Sequence, residues 1–261
     1  MDPGLRAAAT GMMAQQTRTE VIANNLANVN TTGFKRSRAH FVDLLYQTVQ
    51  GAQTVANADA ETTPAIQVGR GTQLAGITRL HTQGALEQTQ RALDLAINGD
   101  GFFQVQLANG QTGYTRDGSF QVSDQGVIVT NEGLTVLPGI KVPADATGVM
   151  IAPNGIVSAT SSAAKTTEFG RIELARFTNP SGLVSTGQNI YQSSPTSGEP
   201  TTEFPQVEGM GRLQQGYLES SNVEIMQEMV DMITAMRAYE INSKAIKNSE
   251  TMADISNNLV R

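Results

Sequence analysis

The residues most able to do chemistry in this sequence are two histidines and a few aspartates that precede glycines. His40 and His81 each stand among polar residues, with no second histidine or carboxylate at the spacing of a metal site, so we interpret both as surface side chains. The stretch NGDGFF around Asp100 resembles the start of a calcium loop. However, Phe102 occupies the next ligand position and no glutamate closes the loop. Asp100 and Asp117, each followed by glycine, are better explained as turns.

Motifs for nucleotide binding and acyl transfer are missing. The stretch GRGTQLAG at residues 69–76 lacks the Lys-Ser/Thr ending of a phosphate-binding loop, and no serine has a histidine partner in its sequence context. A pair of carboxylates of the glycoside-hydrolase kind stays open, because such pairs are remote in sequence. The basic cluster Lys35, Arg36 and Arg38 could touch phosphate. Without an interleaved aromatic platform, we interpret it as a solvated or salt-bridged corner.

Composition excludes further classes of protein. The 261-residue chain has no cysteine, so it contains neither a disulfide nor a thiolate metal site nor a cysteine nucleophile. Its formal net charge of -6 argues against a nucleic-acid binder. No run approaches the roughly 18 consecutive apolar residues of a membrane span. The start, MDPGLRAAATGMMAQQ, lacks the regions of a cleaved secretory signal, so we expect a chain that stays inside the cell or leaves by another route.

The first element that could position such residues is a long N-terminal helix, predicted from about Pro3 to about Asn28. Asp2 is its expected N-cap. Its apolar seam repeats at alternating spacings of three and four and runs through Leu5, Ala8, Met12, Gln15, Thr19, Ile22, Leu26 and Val29. After it, Asn30 to Gly33 form a turn motif, in which Gly33 can take the left-handed backbone conformation.

A second long helix is predicted from Asn222 to Leu259, with a capping-box spacing between Ser221 and Glu224. One seam consists of Ile225, Met229, Met232, Met236, Tyr239, Ser243 and Ile246, and a second stripe of Met226, Val230 and Ile233. This stripe is wider than one partner helix covers. Two alternatives follow: a helical hairpin packed onto its own β domain, or an interface between chains. Helices this long favour a coiled-coil-like assembly.

Between the helices the sequence alternates short β-favouring pieces with turn dipeptides. This pattern predicts an α+β protein with a central, mainly antiparallel β domain. We divide the chain into an N-terminal helix at 1–30, an extended connector at 31–96, a β-rich domain at 97–191, a return connector at 192–221 and a C-terminal helix at 222–261. Residues 47–65 carry little periodicity and predict an extended loop or flexible arm. Asn154-Gly155 marks a hairpin.

Four motifs in order carry a resemblance to a known family. ANNLANVNTTGFKR (residues 23–36) and EMVDMITAMRAYEINSKAIK (228–247) resemble the two terminal signatures of bacterial flagellar axial proteins, the rod and hook family. LAINGDGFFQV with YTRDGSFQVSDQG is similar to the central region of that family, and QQGYLESSNV to the segment before the last helix. Within the family, the chain length, DLLYQT and LHTQGALEQT look most like the members that build the distal rod.

The resemblance implies a structural subunit without enzymatic activity or cofactor. Copies would polymerise helically into a hollow drive shaft that transmits torque from motor to hook and lies in the periplasm-spanning basal body. The implied partners are proximal rod proteins, hook protein, the ring bushing and the flagellar type III export apparatus. Such export explains the missing signal peptide, and neither nucleic acid nor a membrane span is implied. Alternatives are a proximal rod subunit, or a glycan-binding or glycan-cleaving β-domain protein with a helical stalk.

The predicted functional residues are therefore those of an assembly seam and of one turn. We expect the seam to form an inner helical layer through Leu5, Met12, Ile22, Leu26, Val29, Ile225, Met229, Met232, Met236, Tyr239 and Ile246. The turn with Asn30 and Gly33 would redirect the chain from this layer to an outer β layer. Because the helices bury little apolar area within one chain, we expect the chain ends to become ordered on assembly.

Overall fold

The structure is a computed structural model that describes residues 3–50, 53–54, 62–63, 65–143, 146–161, 166–207 and 209–259. The chain divides into two compact units. The terminal unit comprises Met1–Leu26, Ser37–Thr78 and Ile225–Arg261. The β unit comprises Ala27–Arg36 and Arg79–Glu224. The predicted boundaries at 96/97 and 191/192 stay predictions.

Two long helices belong to the terminal unit. Helix α1 is Pro3–Ala27 and helix α2 is Ile225–Leu259, about 38 and 53 Å long at 1.5 Å per residue. The predicted capping box is wrong, because α2 begins four residues after Ser221, whose hydroxyl accepts the backbone N–H of Val223. The predicted N-cap, Asp2, lies outside the described residues. Within the described part of the chain, neither helix combines the length and apolarity needed to cross a membrane.

The strands of the terminal unit form two-stranded sheets. They are β1 (Ser37–Asp43), β2 (Gln47–Gln50), β3 (Gln53–Thr54), β4 (Thr62–Thr63), β5 (Ile66–Val68) and β6 (Thr72–Arg79), paired as β1 with β6, β2 with β5 and β3 with β4. The predicted arm at 47–65 is thus paired in its described parts, as an antiparallel ladder of β2 with β5 and β3 with β4. Residues 51–52, 55–61 and 64 of the arm lie outside the described residues.

The β unit contains the remaining strands. They are β7 (Leu86–Gln88), β8 (Leu95–Asn98), β9 (Phe102–Gln106), β10 (Thr112–Thr115), β11 (Phe120–Val122), β12 (Ile128–Thr130), β13 (Thr135–Val136), β14 (Ala146–Ile151), β15 (Ile156–Ser161), β16 (Thr166–Arg171), β17 (Leu174–Arg176), β18 (Val184–Gly187), β19 (Ile190–Gln192), β20 (Thr201–Glu203), β21 (Arg212–Gln215) and β22 (Tyr217–Glu219). A 3₁₀ turn occupies Pro180–Gly182.

The largest sheet runs in the order β11-β12-β13-β9-β10-β19-β18, and β17 joins it beside β9 with β20 on its outer side. Strands β14, β15 and β16 form a second sheet, while β21 pairs with β8 and β22 with β7. The recorded pairings of the β unit are antiparallel. The prediction of an α+β protein with a mainly antiparallel central region is confirmed.

Turn dipeptides join the neighbouring strands as the sequence indicates. Between β14 and β15, Gly155 has φ +90° and its N–H donates to the carbonyl of Ala152 at 2.9 Å. Between β9 and β10, Gly110 has φ +81° and donates to Leu107 at 2.9 Å. Both positions require the left-handed region that glycine enters at little cost. The hairpin predicted at Asn154-Gly155 is confirmed.

The core of the β unit lies between the sheets and is built from alternate side chains of the strands. Its larger cluster consists of Leu95, Ile97, Phe103, Val105, Phe120, Ile128, Val136, Ile140, Val142, Ile151, Val157, Ile172, Leu174, Ile190 and Leu213. A smaller cluster, of Phe102, Tyr114, Ala175, Phe177 and Tyr191, covers another part of the main sheet. Burial of this apolar set stabilises the β unit.

Candidate assembly surface

Helices α1 and α2 pack antiparallel through small and polar residues. Along α1 the contacts run from Asn25 to Arg18, while along α2 they run from Glu228 to Asp231. Asn25 Nδ2 donates to Glu228 Oε2 at 3.1 Å, and both residues are fully buried. Nearer the other end, a Cβ at Gly11 would lie 2.8 Å from the Asn242 amide nitrogen, so the two helices approach closely there. Each chain therefore buries little apolar surface between its own helices.

The apolar residues of α2 lie on a different side of the helix, which we call the apolar stripe. Its members are between 44 and 71% exposed in the single chain. They are Ile225, Met226, Met229, Val230, Ile233, Met236 and Tyr239. Spacings of three and four place them along one face. A contiguous exposed apolar surface of this kind marks an interface, so the single chain leaves it available for a partner.

The predicted seam residues divide between these two surfaces. Ile22 is buried, and Leu5, Met12, Leu26, Met232 and Ile246 are partly buried. Ile225, Met229, Met236 and Tyr239 are exposed on the apolar stripe. Val29 follows the end of α1, is partly buried and belongs to the β unit. Their joint role as a seam between copies stays a prediction.

Apolar side chains are also exposed on the strands of the terminal unit. They are Val42, Val49, Ile66, Val68, Leu74 and Ile77, and Leu45 and Tyr46 are exposed in the segment between β1 and β2. Strands β2 and β5 are exposed at every one of their residues. The β2–β5 ladder therefore has no buried face in the single chain. Two-stranded ribbons are marginal alone, so packing against another surface would stabilise it.

The turn after α1 is held inside the β unit by its backbone. Gly33 has φ +68° and donates its N–H to the carbonyl of Glu219 at 2.8 Å. A Cβ at this position would lie 2.6 Å from the backbone nitrogen of Asp117, so no side chain fits. Thr32 Oγ1 donates to Asp117 Oδ1 at 2.8 Å, whereas Asn30 is exposed. Gly33 thus has the left-handed conformation expected of it, while its role in redirecting the chain between layers stays a prediction.

A buried group of charges, which we call the connector clasp, follows this turn. It comprises Lys35, Arg116 and Glu219. Lys35 Nζ donates to one oxygen of the Glu219 carboxylate and, at 2.7 Å, to the carbonyl of Thr82. Arg116 Nη1 lies 3.4 Å from the other carboxylate oxygen. Gly84 N–H also donates to Glu219 at 2.9 Å. The clasp joins the segment that follows α1 to the segment that leads to α2.

Burial sets the protonation tendencies around the clasp. It lowers the pKa of Lys35 and of Arg116, while the carboxylate of Glu219 opposes both shifts. Burial also lowers the pKa of His81 to about 4, and the charges of Lys35 and Arg116 act in the same direction. The His81 ring packs edge-on against Phe102, with 5.6 Å between ring centroids. At pH 7 the His81 imidazole is therefore neutral.

Two interpretations made from the basic and histidine residues need correction. His81 is not a surface side chain, because it packs among the aromatic residues of the smaller core cluster. His40 is exposed and shares a 2.8 Å hydrogen bond with Thr78. Of the two alternatives for the basic cluster, the salt-bridged one is confirmed at Lys35. The solvated one is wrong there, because Lys35 is buried. Only the positions of its partners, remote in sequence, reveal this.

The arrangement of the described side chains supports structural contacts more than a catalytic or metal-binding role. Among the described residues, no group of three or more histidine, aspartate or glutamate side chains lies together as a metal site. Asp100 belongs to the turn before β9, where Gly101 has φ +138°. A cavity of about 340 Å³ beside His81 is lined by Phe102, Arg116 and Phe177. The apolar stripe and the ribbons of the terminal unit are exposed features of the described chain.

Three protein-family models match successive parts of the chain. "Flagella basal body rod protein" matches residues 5–35, "Flagellar hook protein FlgE/F/G D1 domain" matches residues 96–159, and "Flagellar basal body rod FlgEFG protein C-terminal" matches residues 214–259. The first match contains most of α1, the turn and Lys35, and the last contains the apolar stripe. The two terminal family models thus cover the segments that carry the turn and the apolar stripe.

Curated relatives match the chain almost from end to end. The flagellar basal-body rod protein FlgG of Borreliella burgdorferi is 48% identical, and that of Buchnera aphidicola subsp. Acyrthosiphon pisum 46%, each over 97% of both chains. The rod protein FlgF of Caulobacter vibrioides is 34% identical over 97% of this chain and 96% of its own. These relatives are structural proteins of the flagellar basal body rather than enzymes. This chain accordingly belongs to the flagellar basal-body rod protein family.

Proposed function

We propose that this protein is a structural subunit of the distal rod of the bacterial flagellum. The observation that carries the proposal is near-full-length identity of 46–48% to FlgG proteins. Identity to the FlgF relative, the nearest alternative within the rod, is 34% over the same extent. Membership of a family of structural rod proteins excludes the alternative of a glycan-cleaving enzyme.

In the proposed mechanism, copies assemble helically and the apolar stripe provides the contact between them. Burying one Met or Ile side chain contributes about 1.5–3 kcal/mol. Met226, Met229 and Met236 are unbranched and adapt to slightly different neighbours, as a helical lattice with several contact geometries requires. The terminal helices would form the inner, coiled-coil-like layer, and the β units the outer layer of a hollow shaft that transmits torque from motor to hook.

The small and polar contact between α1 and α2 supports ordering on assembly. Fixing the backbone costs about 1–2 kcal/mol per residue, and the apolar burial within one chain offsets little of it for these helices. Neighbouring copies supply the missing burial when they cover the apolar stripe. A subunit of this kind is weakly ordered at its ends when alone and stable within the polymer.

The proposed partners and route follow from this place in the rod. At its ends the polymer would contact proximal rod proteins and hook protein, and along its length the ring bushing of the envelope. The chain would reach its site in the periplasm-spanning rod through the flagellar type III export apparatus, without a cleaved signal peptide.

A complementation experiment tests the proposal. A strain that lacks the gene is expected to be non-motile, and the wild-type chain to restore both swimming and the distal rod in isolated basal bodies. Met229→Lys is expected to abolish both while the β unit stays folded, because Met229 is exposed in the single chain and buried in the proposed polymer. Thr234→Lys, on the same helix but outside the apolar stripe, is the matched control and is expected to assemble. Normal rods in the deletion strain, or in Met229→Lys, would contradict the proposal.

A further inference from the structure

We infer that Asn25 and Glu228 fix the register in which α1 and α2 pair. The inference deepens the proposed function, on which it rests, because it specifies how each subunit selects one arrangement of its terminal helices. The Asn25 side chain is fully used: Nδ2 donates to Ser37 O at 2.9 Å and to Glu228 Oε2 at 3.1 Å, while Oδ1 accepts Ser37 N–H at 2.9 Å. One buried amide thus ties α1 to both the start of β1 and α2.

The small residues of the helix pair cannot set this register by packing. Gly11 and Asn25 lie fourteen residues apart on α1, and their partners Asn242 and Glu228 lie fourteen apart on α2, with the buried Ala235 midway. A slip of three or four residues turns another face of α2 towards α1. A slip of seven residues keeps nearly the same face, within about 20°. A seven-residue slip is therefore the misalignment that a heptad pattern permits.

Between the two helices themselves, a seven-residue slip meets little steric resistance. It would bring Ala235 opposite Asn25 and Ser249 opposite Gly11, and both are small residues. The polar pair opposes it, because Asn25 would lose the acceptor on Glu228 and face an alanine in a buried position. The ion pair of Arg18 with Asp231, at 3.1 Å, would be lost as well, but it is partly exposed and contributes little.

Selection of one register by this polar pair matters in a polymer. Many identical helices with identical apolar stripes lie side by side in the proposed rod, so a slipped pair would displace the stripe by about 10 Å along α2. A buried polar residue at one heptad position specifies register in coiled coils and lowers their stability. Asn25 and Glu228 occupy that position here, and an apolar pair would bind the helices without distinguishing the registers.

Engineered cysteine pairs test the inference, because the chain has no cysteine of its own. Gly11→Cys with Asn242→Cys reports the native register, and Gly11→Cys with Ser249→Cys reports the seven-residue slip. Each pair is placed in the full-length chain and oxidised in assembled rods and in the soluble fraction. Intact mass after alkylation identifies crosslinks within a chain, and a non-reducing gel identifies those between chains.

In the native background we expect mainly the 11–242 crosslink in rods and only a minor one between 11 and 249. With Asn25→Leu and Glu228→Leu combined, the ratio of the 11–249 to the 11–242 crosslink is expected to rise at least about fivefold, the equivalent of about 1 kcal/mol for an unmet buried amide. Glu228→Gln keeps an acceptor for Asn25 and is expected to keep the native register. Arg18→Gln is the matched control on the exposed pair and is expected to leave the ratio unchanged.

The outcomes separate this inference from the proposed function. An unchanged crosslink ratio in the double leucine variant overturns the register role, whether or not that variant assembles, because the soluble fraction is measured too. Absence of the 11–242 crosslink in native rods overturns the antiparallel register itself. If the native chain is not found in rods at all, the proposed function fails, and the crosslinks of the soluble chain still decide the register.

Discussion

Lys35 and Glu219 form a fully buried ion pair although 184 residues separate them in the sequence. Lys35 lies just after the turn that follows α1, and Glu219 ends β22, a few residues before α2. Both chain ends therefore leave the β unit from segments that one ion pair joins. Because each charge would be costly to bury alone, the pair makes the two segments depend on each other.

Replacement of Lys35 by methionine tests that dependence. Lys35→Met removes one partner of a buried pair and leaves the Glu219 carboxylate with Arg116 and Gly84 N–H. We expect a loss of about 3 kcal/mol in the free energy of unfolding of the β unit, measured by urea denaturation. Arg38→Met, at an exposed residue of the same basic cluster, is expected to change it by less than about 0.5 kcal/mol. Equal effects of the two substitutions would contradict a buried role for Lys35.

Protonation of His81 predicts a loss of stability in mild acid. Its folded-state pKa of about 4 lies below the ordinary value of 6.5, so the unfolded chain takes up the proton first as the pH falls. The stability associated with neutral His81 is thus complete above pH 6.5 and decreases until about pH 4. The decrease amounts to about 3 kcal/mol, at about 1.4 kcal/mol for each unit of pKa.

The His81→Phe variant isolates this contribution from that of the carboxylates. Phenylalanine keeps a ring beside Phe102 and Tyr191 but has no proton to accept. We expect the difference in unfolding free energy between variant and native chain to change in favour of the variant from pH 6.5 to 4. Parallel stability curves for the two chains across this range would show that His81 does not titrate as its surroundings require.

The sequence predicts those parts of the architecture that are set by contacts between residues close together in the sequence. The two helices and the hairpin at Asn154-Gly155 follow from local periodicity and turn chemistry, and they are found where expected within a few residues. Contacts between residues remote in sequence leave no local pattern. The burial of Lys35 and His81 could not be predicted, since lysine and histidine in polar stretches normally indicate surface.

The face of α2 that packs against α1 gives a second reason why the sequence does not predict the whole arrangement. Apolar periodicity predicts a seam through Met229 and Met236, because a single chain is expected to bury its apolar side chains first. The structure instead pairs α1 with the face of Glu228 and Ala235 and leaves both methionines exposed. A sequence that folds for a polymer divides its apolar surface between the chain and its copies, and periodicity alone does not distinguish the two.

Alanine substitutions at two turn glycines distinguish the free-energy cost of backbone strain from the cost of a steric clash. Gly33 and Gly110 both have positive φ, +68° and +81°, but only Gly33 has atoms within 4 Å of where a Cβ would be. Gly110→Ala is expected to cost about 1–2 kcal/mol from backbone strain alone. Gly33→Ala adds a 2.6 Å contact with the Asp117 backbone and is expected to cost at least about 2 kcal/mol more. If urea denaturation gave equal losses in unfolding free energy for the two variants, the turn would be able to move away from the segment after β10 without further cost.

Hydrogen exchange of the dilute, isolated chain should separate the terminal helices from the β unit. The helices bury little more than Ala14, Ile22 and Ala235 as apolar residues, whereas β9 and β15 run through the large core cluster. Local opening needs less free energy where fewer apolar contacts are broken. We therefore expect amides of α1 and α2 to exchange at least about a hundredfold faster than those of β9, a difference of about 2.7 kcal/mol. In assembled rods the proposed contact between copies would cover the apolar stripe, so protection of α2 is expected to rise towards that of β9 while β9 itself changes little. Met229→Lys, kept as soluble chain, supplies the control, because it should show the exchange pattern of the isolated chain at any concentration. Full protection of both helices in the dilute native chain would mean that their order does not depend on neighbouring copies.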